Sequence, residues 1–411
     1  MTGSGPGSPP RFIPGTGGES VHTDLSPETT SKRTLWHAVL VALATGLAYL
    51  PFALTVPILP GYVTGTLHGG PAEVGAVVGG YAITALLCRP LFGALLNRIG
   101  ARKLTVAGTV VITLATVSYP LAGSIPALIG LRLVMGIGMG AMLAATMVWP
   151  VQLVAKDRQS WALGLGGTVV YVALGMGAPL GTLLDHALST TTVFVIAGLA
   201  ALLAVPIACV VPEVRVPPKS ADDAPAPARA ILGTALPSGA LAFAAFGFAA
   251  VASFSVAVLN SRGIAGGAAV VTGYSLTIVL LRLSSGWIRW EPTRPGPLAS
   301  LFVVEAVGVV LIGLADGLWL AVLGGVLVGV GMWQIYPMLG LFVVRSVSER
   351  QRATALSTFG ACFTVGIAAG SGMLGLIAAA VGYRVMFFVC AACIGLGLFL
   401  GVTAARVARI G

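Results

Sequence analysis

The chain has 411 residues, 57% of them hydrophobic and only 9% charged, against about 25% charged in an average soluble protein. A soluble fold this apolar would have nothing with which to cover its surface. The formal charge of +10 does not point to nucleic acid either, because the basic residues sit in short loops between apolar runs, the pattern that orients membrane proteins. In lipid the backbone must satisfy itself in helices or closed barrels. Barrel strands alternate apolar and polar residues over roughly ten positions. Here the runs are continuous and near twenty residues, enough to cross about 30 Å of hydrocarbon as helix. The expected fold class is all-α and membrane-spanning. Arginine outnumbers lysine, and Ala, Gly, Val and Leu dominate. That composition suits a GC-rich bacterial genome, hence an inner-membrane location.

Residues 1–33 are rich in Gly, Pro, Ser and Thr and lack an apolar core. They read as a disordered cytoplasmic tail rather than a cleavable signal. Six apolar runs follow: Leu35–Tyr62, Val74–Leu96, Leu104–Leu121, Ala127–Val151, Trp161–Leu184 and Val193–Val211. These define an N-terminal bundle over 34–211. A polar stretch over 212–230, holding Pro217, Pro218, Asp222 and Asp223, reads as a cytoplasmic linker. Six more runs fill 231–411: Ile231–Leu259, Ala268–Ile288, Pro297–Ala315, Leu318–Val344, Ala353–Val381 and Met386–Ala405. Five cysteines, Cys88, Cys209, Cys362, Cys390 and Cys393, all lie in apolar stretches and read as small hydrophobic filler.

Counting Arg and Lys in alternate loops and the tails sets eighteen on one side against two, Arg262 and Arg384, on the other. By the positive-inside rule both termini are expected in the cytoplasm. The halves also repeat. Val77-Val78-Gly-Gly80-Tyr81, Thr84, Leu87, Arg89 and Gly93 match Val270-Val271-Thr-Gly273-Tyr274, Thr277, Leu280, Arg282 and Gly286 at a constant offset of 193 (273 − 80). The same offset carries Gly136-Ile-Gly138-Met139 onto Gly329-Val-Gly331-Met332. Asp157-Arg158-Gln159 maps to Glu349-Arg350-Gln351 at 192 (349 − 157). Two pseudo-symmetric six-helix bundles are therefore expected, a plan found in transporters whose site lies between the halves at mid-membrane.

Gly93-Ala-Leu-Leu-Asn97-Arg98-Ile-Gly100-Ala-Arg102-Lys103 resembles the signature loop of the major facilitator superfamily, Gly-x-Leu-Ala-Asp-Arg-x-Gly-Arg-Lys/Arg. Arg132-Leu-Val-Met-Gly136-Ile-Gly138-Met-Gly140 resembles that family's Arg-x-x-x-Gly-x-Gly pattern. Gly175-Met-Gly177-Ala178-Pro179-Leu180-Gly181 is similar to the Gly-Pro motif of its twelve-helix drug:proton antiporters, and Val56-Pro57-Ile-Leu-Pro60-Gly61-Tyr62 at the end of the first run resembles a stretch common in that branch. The resemblance implies a secondary transporter working by alternating access with the proton gradient as energy source and no cofactor. It also implies a gating loop at Gly93, Asn97, Arg98, Gly100 and Arg102, and helix packing at Gly136, Gly138, Gly175, Gly177, Pro179 and Gly181. Two departures stand out. Asn97 replaces an aspartate that in the family takes part in a charge relay, and Gly-Ala-Pro replaces Gly-Pro.

Four charges lie near membrane depth, Arg89, Arg132, Arg282 and Glu305, where ionisable groups default to function. Arg132 is a candidate for holding an anionic substrate group; the plainer alternative is an arginine bonded to backbone carbonyls. Glu305, about 12 Å from the cytoplasmic end of its run, and Arg282, about 10 Å from the end of its own, are expected to pair. Glu305 is then a structural partner or a titrating carrier that releases its proton as Arg282 approaches. Cavity candidates are Tyr49, Trp149, Tyr171, Phe246, Trp333, Gln334 and Tyr336, mostly aromatic surfaces suited to bulky apolar ligands.

These residues favour efflux of small apolar or weakly anionic compounds, a drug or natural product, by a monomer whose partners are substrate and lipid. The alternative is an uptake carrier for a sugar, organic acid or metal chelate. An enzyme is not expected. The Asp-Asp pair lies in the linker, and no phosphate-binding Gly-rich loop with lysine is present.

Overall fold

The structure is a computed structural model and describes residues 27–155, 158–213, 228–284, 295–347 and 352–410. Most of the expected tail, the body of the linker and the loop charges Lys156, Arg215, Lys219, Arg289, Arg294 and Arg350 lie outside the described residues. Among the described residues the regular structure is entirely helical.

Among the described residues the helices group into twelve segments, numbered here as spans; ten are long and apolar enough to cross a membrane, the bent second makes an eleventh, and Ala268–Ser284, the eighth, is a shorter apolar helix. The first is Pro27–Thr55, prolonged by Leu59–Gly61 and the wide turn Tyr62–Thr66. It begins at Pro27, inside the stretch read from sequence as tail. The second is broken: Pro71–Leu87 and Arg89–Ile99 meet at 56°. Pro90 explains the break, since its ring removes a backbone donor and crowds the preceding turn. The third is Ala101–Val117, the fourth Ile125–Leu153 and the fifth Gln159–Ala187. The sixth joins Thr190–Ala201 to Ala204–Val210. The C-terminal half supplies Ala228–Ser261, Ala268–Ser284, Pro295–Leu314, Leu318–Arg345, Arg352–Val381 and Tyr383–Ile410 as spans seven to twelve. Local chemistry sets several ends. Ser124 Oγ and Ser189 Oγ accept the backbone N–H of Ala127 and Thr192, capping the fourth and sixth spans. Arg262 donates to the carbonyls of Gly313 and Ala315, both at 2.6 Å, closing the end of the ninth.

Apolar side chains such as Leu121, Met176, Trp319, Leu376 and Phe399 stand well exposed on the outside of the bundle, as lipid contact requires. Inside each half the small residues bring backbones together. Spans three and four cross where a Cβ on Gly108 would lie 2.6 Å from the Gly138 carbonyl oxygen, and one on Gly138 2.6 Å from that of Gly108. Spans nine and ten cross in the same way at Gly308 and Gly324. The repeat is visible atom for atom: Gly136 packs on the carbonyl of Tyr81, and Gly329, its equivalent 193 residues on, packs on the carbonyl of Tyr274, itself 193 beyond Tyr81. The halves meet along spans two and eleven and along spans five and eight, two seams that the repeat makes equivalent.

Candidate functional site between the halves

The seam is closed on the face away from the termini. There Gly75 and Gly79 of span two lie on Ser371 of span eleven, and a Cβ on Gly375 would stand 2.8 Å from the Pro71 carbonyl oxygen. Ser253 of span seven donates to Ser371 Oγ at 3.2 Å. Main chain against main chain leaves no room for cargo at this level.

Nearer the termini the seam carries charge and aromatic surface. Arg89, the first residue after the break in span two, reaches across to span eleven. Its Nη2 lies 3.1 Å from the Cβ position of Gly360, and Tyr336 Oη lies 3.3 Å from the same point. Arg282 of span eight reaches the other way, onto span five. Its Nη1 lies 2.9 Å from the Cβ position of Gly167, and its guanidinium carbon sits 5.3 Å from the centre of the Tyr171 ring. Tyr336 is 37% exposed and stacks on Phe359 and Phe363 at 5.1 and 5.8 Å. Tyr171 packs on Tyr274 at 6.3 Å. Gln334 is half-buried nearby in sequence, whereas Trp333, Phe246 and Tyr49 are buried.

The expected pairing of Glu305 with Arg282 is not formed. Glu305 is fully buried, and both its carboxylate oxygens lack a hydrogen-bond partner. It is wedged between Gly247 of span seven and Gly331 of span ten. Sequence adjacency misled here: span eight packs on spans five and ten, and span nine on spans ten and twelve. The two side chains therefore leave their helices in different directions. Its equivalent in the N-terminal half is Ile112 (305 − 193), also fully buried.

Arg132 is fully buried. Its Nε donates to the Val77 carbonyl at 2.8 Å and its Nη2 to that of Val78 at 2.7 Å. Nη1 donates to Met135 Sδ at 3.2 Å and Tyr119 Oη at 3.4 Å. The rings of Phe52 and Tyr81 lie 5.5 and 5.2 Å from its guanidinium carbon. Every nitrogen is engaged, so the arginine clamps span four to span two. It has nothing to offer a substrate in this arrangement. Trp149, expected on a cavity wall, is also fully buried and donates from Nε1 to the Pro212 carbonyl at 2.9 Å. Its indole fastens the end of the sixth span.

In the second segment of span two, Gly93 and Arg98 are exposed and Asn97 is half-buried. Gly100 has φ +88° and ψ 169°, backbone that only glycine adopts readily. That turn aims the Arg102 backbone N–H at Glu213 Oε1, 2.9 Å away, with Arg102 Nε 3.7 Å from Oε2. Glu213, the first acid after span six, escaped the sequence reading; its place just beyond Pro212 at a helix end was the available signal. In span five, Gly177 and Gly181 pack on Ala53 and Leu54 of span one, while Gly175 faces Ser275 of span eight. The glycine motif around Pro179 thus serves both the bundle and the seam.

A two-bundle helical membrane protein whose halves meet along two equivalent seams, with Arg89 and Arg282 reaching across them, is the class this fold defines. The sequence profile of the Major Facilitator Superfamily matches residues 41–288, and the chain belongs to that family. It is 28% identical over 385 residues to the "uncharacterized MFS-type transporter YhhS" of Escherichia coli (strain K12), covering 91% of this chain and 94% of the relative. Among solved structures, a bacterial homolog of the human lysosomal transporter Spinster, inward-facing and unoccupied, superposes with a TM-score of 0.71 at 15% identity, covering 93% of this chain and 98% of that one. The human organic anion transporter MFSD10 (TETRAN) gives 0.68 at 19%, covering 92% and 100%. At these identities the likeness is one of fold.

Proposed function

We propose that this transporter exports small apolar or weakly anionic compounds, drugs or natural products, by alternating access coupled to the proton gradient. The bundles over 34–211 and 231–411, joined by the linker over 212–230, rock about the seam. The observation that carries the reading is the seam itself. It is tight main-chain packing on one face and aromatic side chains with arginines toward the other, with no carboxylate among its described side chains at the level of Arg89 and Arg282. Such a lining favours apolar bodies and disfavours strongly cationic cargo. Glu305 is the proton carrier in this scheme, as an acid placed in the core of the C-terminal bundle with nothing bonded to it. The unequal loop charges support both termini in the cytoplasm, and the transporter is read as a monomer.

Expression in a bacterium stripped of its own efflux pumps, with growth compared across a broad panel of toxic compounds, tests this. Resistance to apolar or weakly acidic compounds, lost when the proton gradient is collapsed, is expected. Raised sensitivity together with faster accumulation of the same compounds would instead establish uptake.

A further inference from the structure

The C-terminal bundle carries an acid where the N-terminal bundle is apolar, and two positions differ together. Glu305 and Gly247 stand where the repeat puts Ile112 and Leu54 (305 − 193 and 247 − 193), both buried. The glycine makes the room. Glu305 Oε1 occupies the place a Cβ on Gly247 would take, and the carboxyl carbon lies 3.2 Å from it.

Tyr274 comes to the same place from the other side. Spans eight and nine flank span ten, where Gly329 rests on the Tyr274 carbonyl and a Cβ on Gly331 would stand 2.6 Å from Glu305 Cβ. Both side chains then run to span seven and end on consecutive residues. The carboxyl lies on Gly247, and the Tyr274 ring lies 5.6 Å from that of Phe248. Three polar atoms are buried here without a hydrogen bond that meets full geometry, Glu305 Oε1, Glu305 Oε2 and Tyr274 Oη, although buried polar groups are nearly always satisfied. The group closest to pairing with Tyr274 Oη is the Tyr171 hydroxyl, and Glu305 and Tyr49 also lie within its electrostatic reach. Tyr171 belongs to span five, across the seam, with its ring 6.3 Å from that of Tyr274, and it is half-buried. From span twelve, Cys390 faces Glu305; spans seven and ten offer it only Gly247 and Gly331. The charge beside the tyrosines is Arg282, over the Tyr171 ring.

We propose that Tyr274 and Tyr171 relay the proton of Glu305 to the seam, with a buried water bridging the carboxyl and Tyr274 Oη. Such a water needs two to four polar partners, and the three unpaired atoms supply them. The Glu305 O–H bond breaks and its proton passes to the water, which gives one of its own to Tyr274 Oη. Tyr274 gives its hydroxyl proton to Tyr171, and Tyr171 gives its own to water at the seam. The bridging water and both hydroxyls end as they began, a carboxylate remains at Glu305, and the reverse sequence reloads it. The inference rests on the reading of Glu305 as proton carrier and adds the route by which its proton travels.

The test reads proton access to Glu305 directly, without cargo. The purified full chain in lipid nanodiscs is moved from light to heavy water and followed by infrared absorption. The carbonyl band of the protonated acid is the one lost in Glu305→Gln, and the rate of its shift is the rate at which the proton leaves. Tyr274→Phe and Tyr171→Phe keep the rings and remove the hydroxyls. Each is expected to slow the shift by about tenfold or more. Tyr274→Phe is expected to unfold at the native temperature or above it, since the hydroxyl it removes is buried and unpaired. A loosened core would speed exchange, so slowing separates a relay from a packing role. An unchanged or faster shift in Tyr274→Phe overturns the proposal, as does the absence of any band that Glu305→Gln removes. Should Tyr274→Phe fail to fold, Tyr171→Phe decides on the same criterion. Slowed exchange in a chain whose gradient-driven export survives Glu305→Gln would sink Glu305 as the coupling acid and leave the route standing. Export that depends on Glu305, with exchange indifferent to both tyrosines, would do the reverse.

Discussion

Ser371 of the eleventh span lies directly on Gly75 of the second, its carbonyl oxygen occupying the place a Cβ on Gly75 would need. The contact joins the two halves on the face away from the termini. Backbone is the obstacle, so a side chain at position 75 cannot be accommodated by a rotamer change. Gly75→Leu is expected to hold this face apart and to lower transport at least tenfold. Thiol labelling of a cysteine introduced at Ala72 would report the opening. Unchanged labelling with normal transport would show that the seam is not a gate.

Arg132 joins spans two and four through two charge-assisted bonds to the Val77 and Val78 carbonyls. Bonds of this kind contribute about 1.5–3 kcal/mol each. Arg132→Ala is expected to lose about 2–4 kcal/mol of stability on that basis and to fall in abundance, as measured by thermal unfolding in detergent. A stable variant that cannot bind substrate would instead return Arg132 to the substrate path.

Glu213 presents two separable contributions. Its ion pair with Arg102 is partly exposed, 36% and 21% at the two side chains, and such pairs contribute only about 0–1 kcal/mol. The bond from the Arg102 backbone N–H can be kept by an amide. Glu213→Gln is therefore expected to unfold close to the native temperature and Glu213→Ala clearly below it. Gly100→Ala must adopt a strained backbone costing about 1–3 kcal/mol and would also meet Glu213 Cδ at 2.6 Å. It is expected to be worse than either change at position 213.

Glu305→Gln keeps the shape of the side chain and removes its ability to carry a proton. Abundance is expected to hold while export loses its response to the pH gradient, measured in everted vesicles with a gradient imposed and then collapsed. Gradient-driven export that matches the native chain would remove Glu305 from coupling.

Much of the architecture was legible because lipid imposes few solutions. The apolar runs predicted the helices, and the offset of 193 predicted two related halves, which the equivalent contacts of Gly136 and Gly329 reflect. Side-chain direction was not legible. Arg282 and Glu305 have the right depths to pair, but depth along a helix says nothing of which neighbour a residue faces, and span eight packs on five and ten rather than on nine. Trp149 failed for a related reason. Aromatic character marks a cavity wall and a buried anchor alike, and only the Pro212 carbonyl at 2.9 Å distinguishes them. The crossing of Arg89 onto Gly360 depends on the contact between halves, which the order of residues in one chain does not encode in any local pattern.

The break at Cys88 gives the two seam arginines unequal mountings. Arg89 stands on the first turn of a separate segment, Arg89–Ile99, set at 56° to the helix before it, while Arg282 rides on the unbroken Ala268–Ser284. The equivalent of Pro90 in the second half is Leu283 (283 − 193), which removes no donor. One arginine is thus carried on a jointed arm and the other on a stiff one. A displacement of Arg89 can be taken up as a swing of the short segment Arg89–Ile99, whereas one of Arg282 must move the whole of its helix.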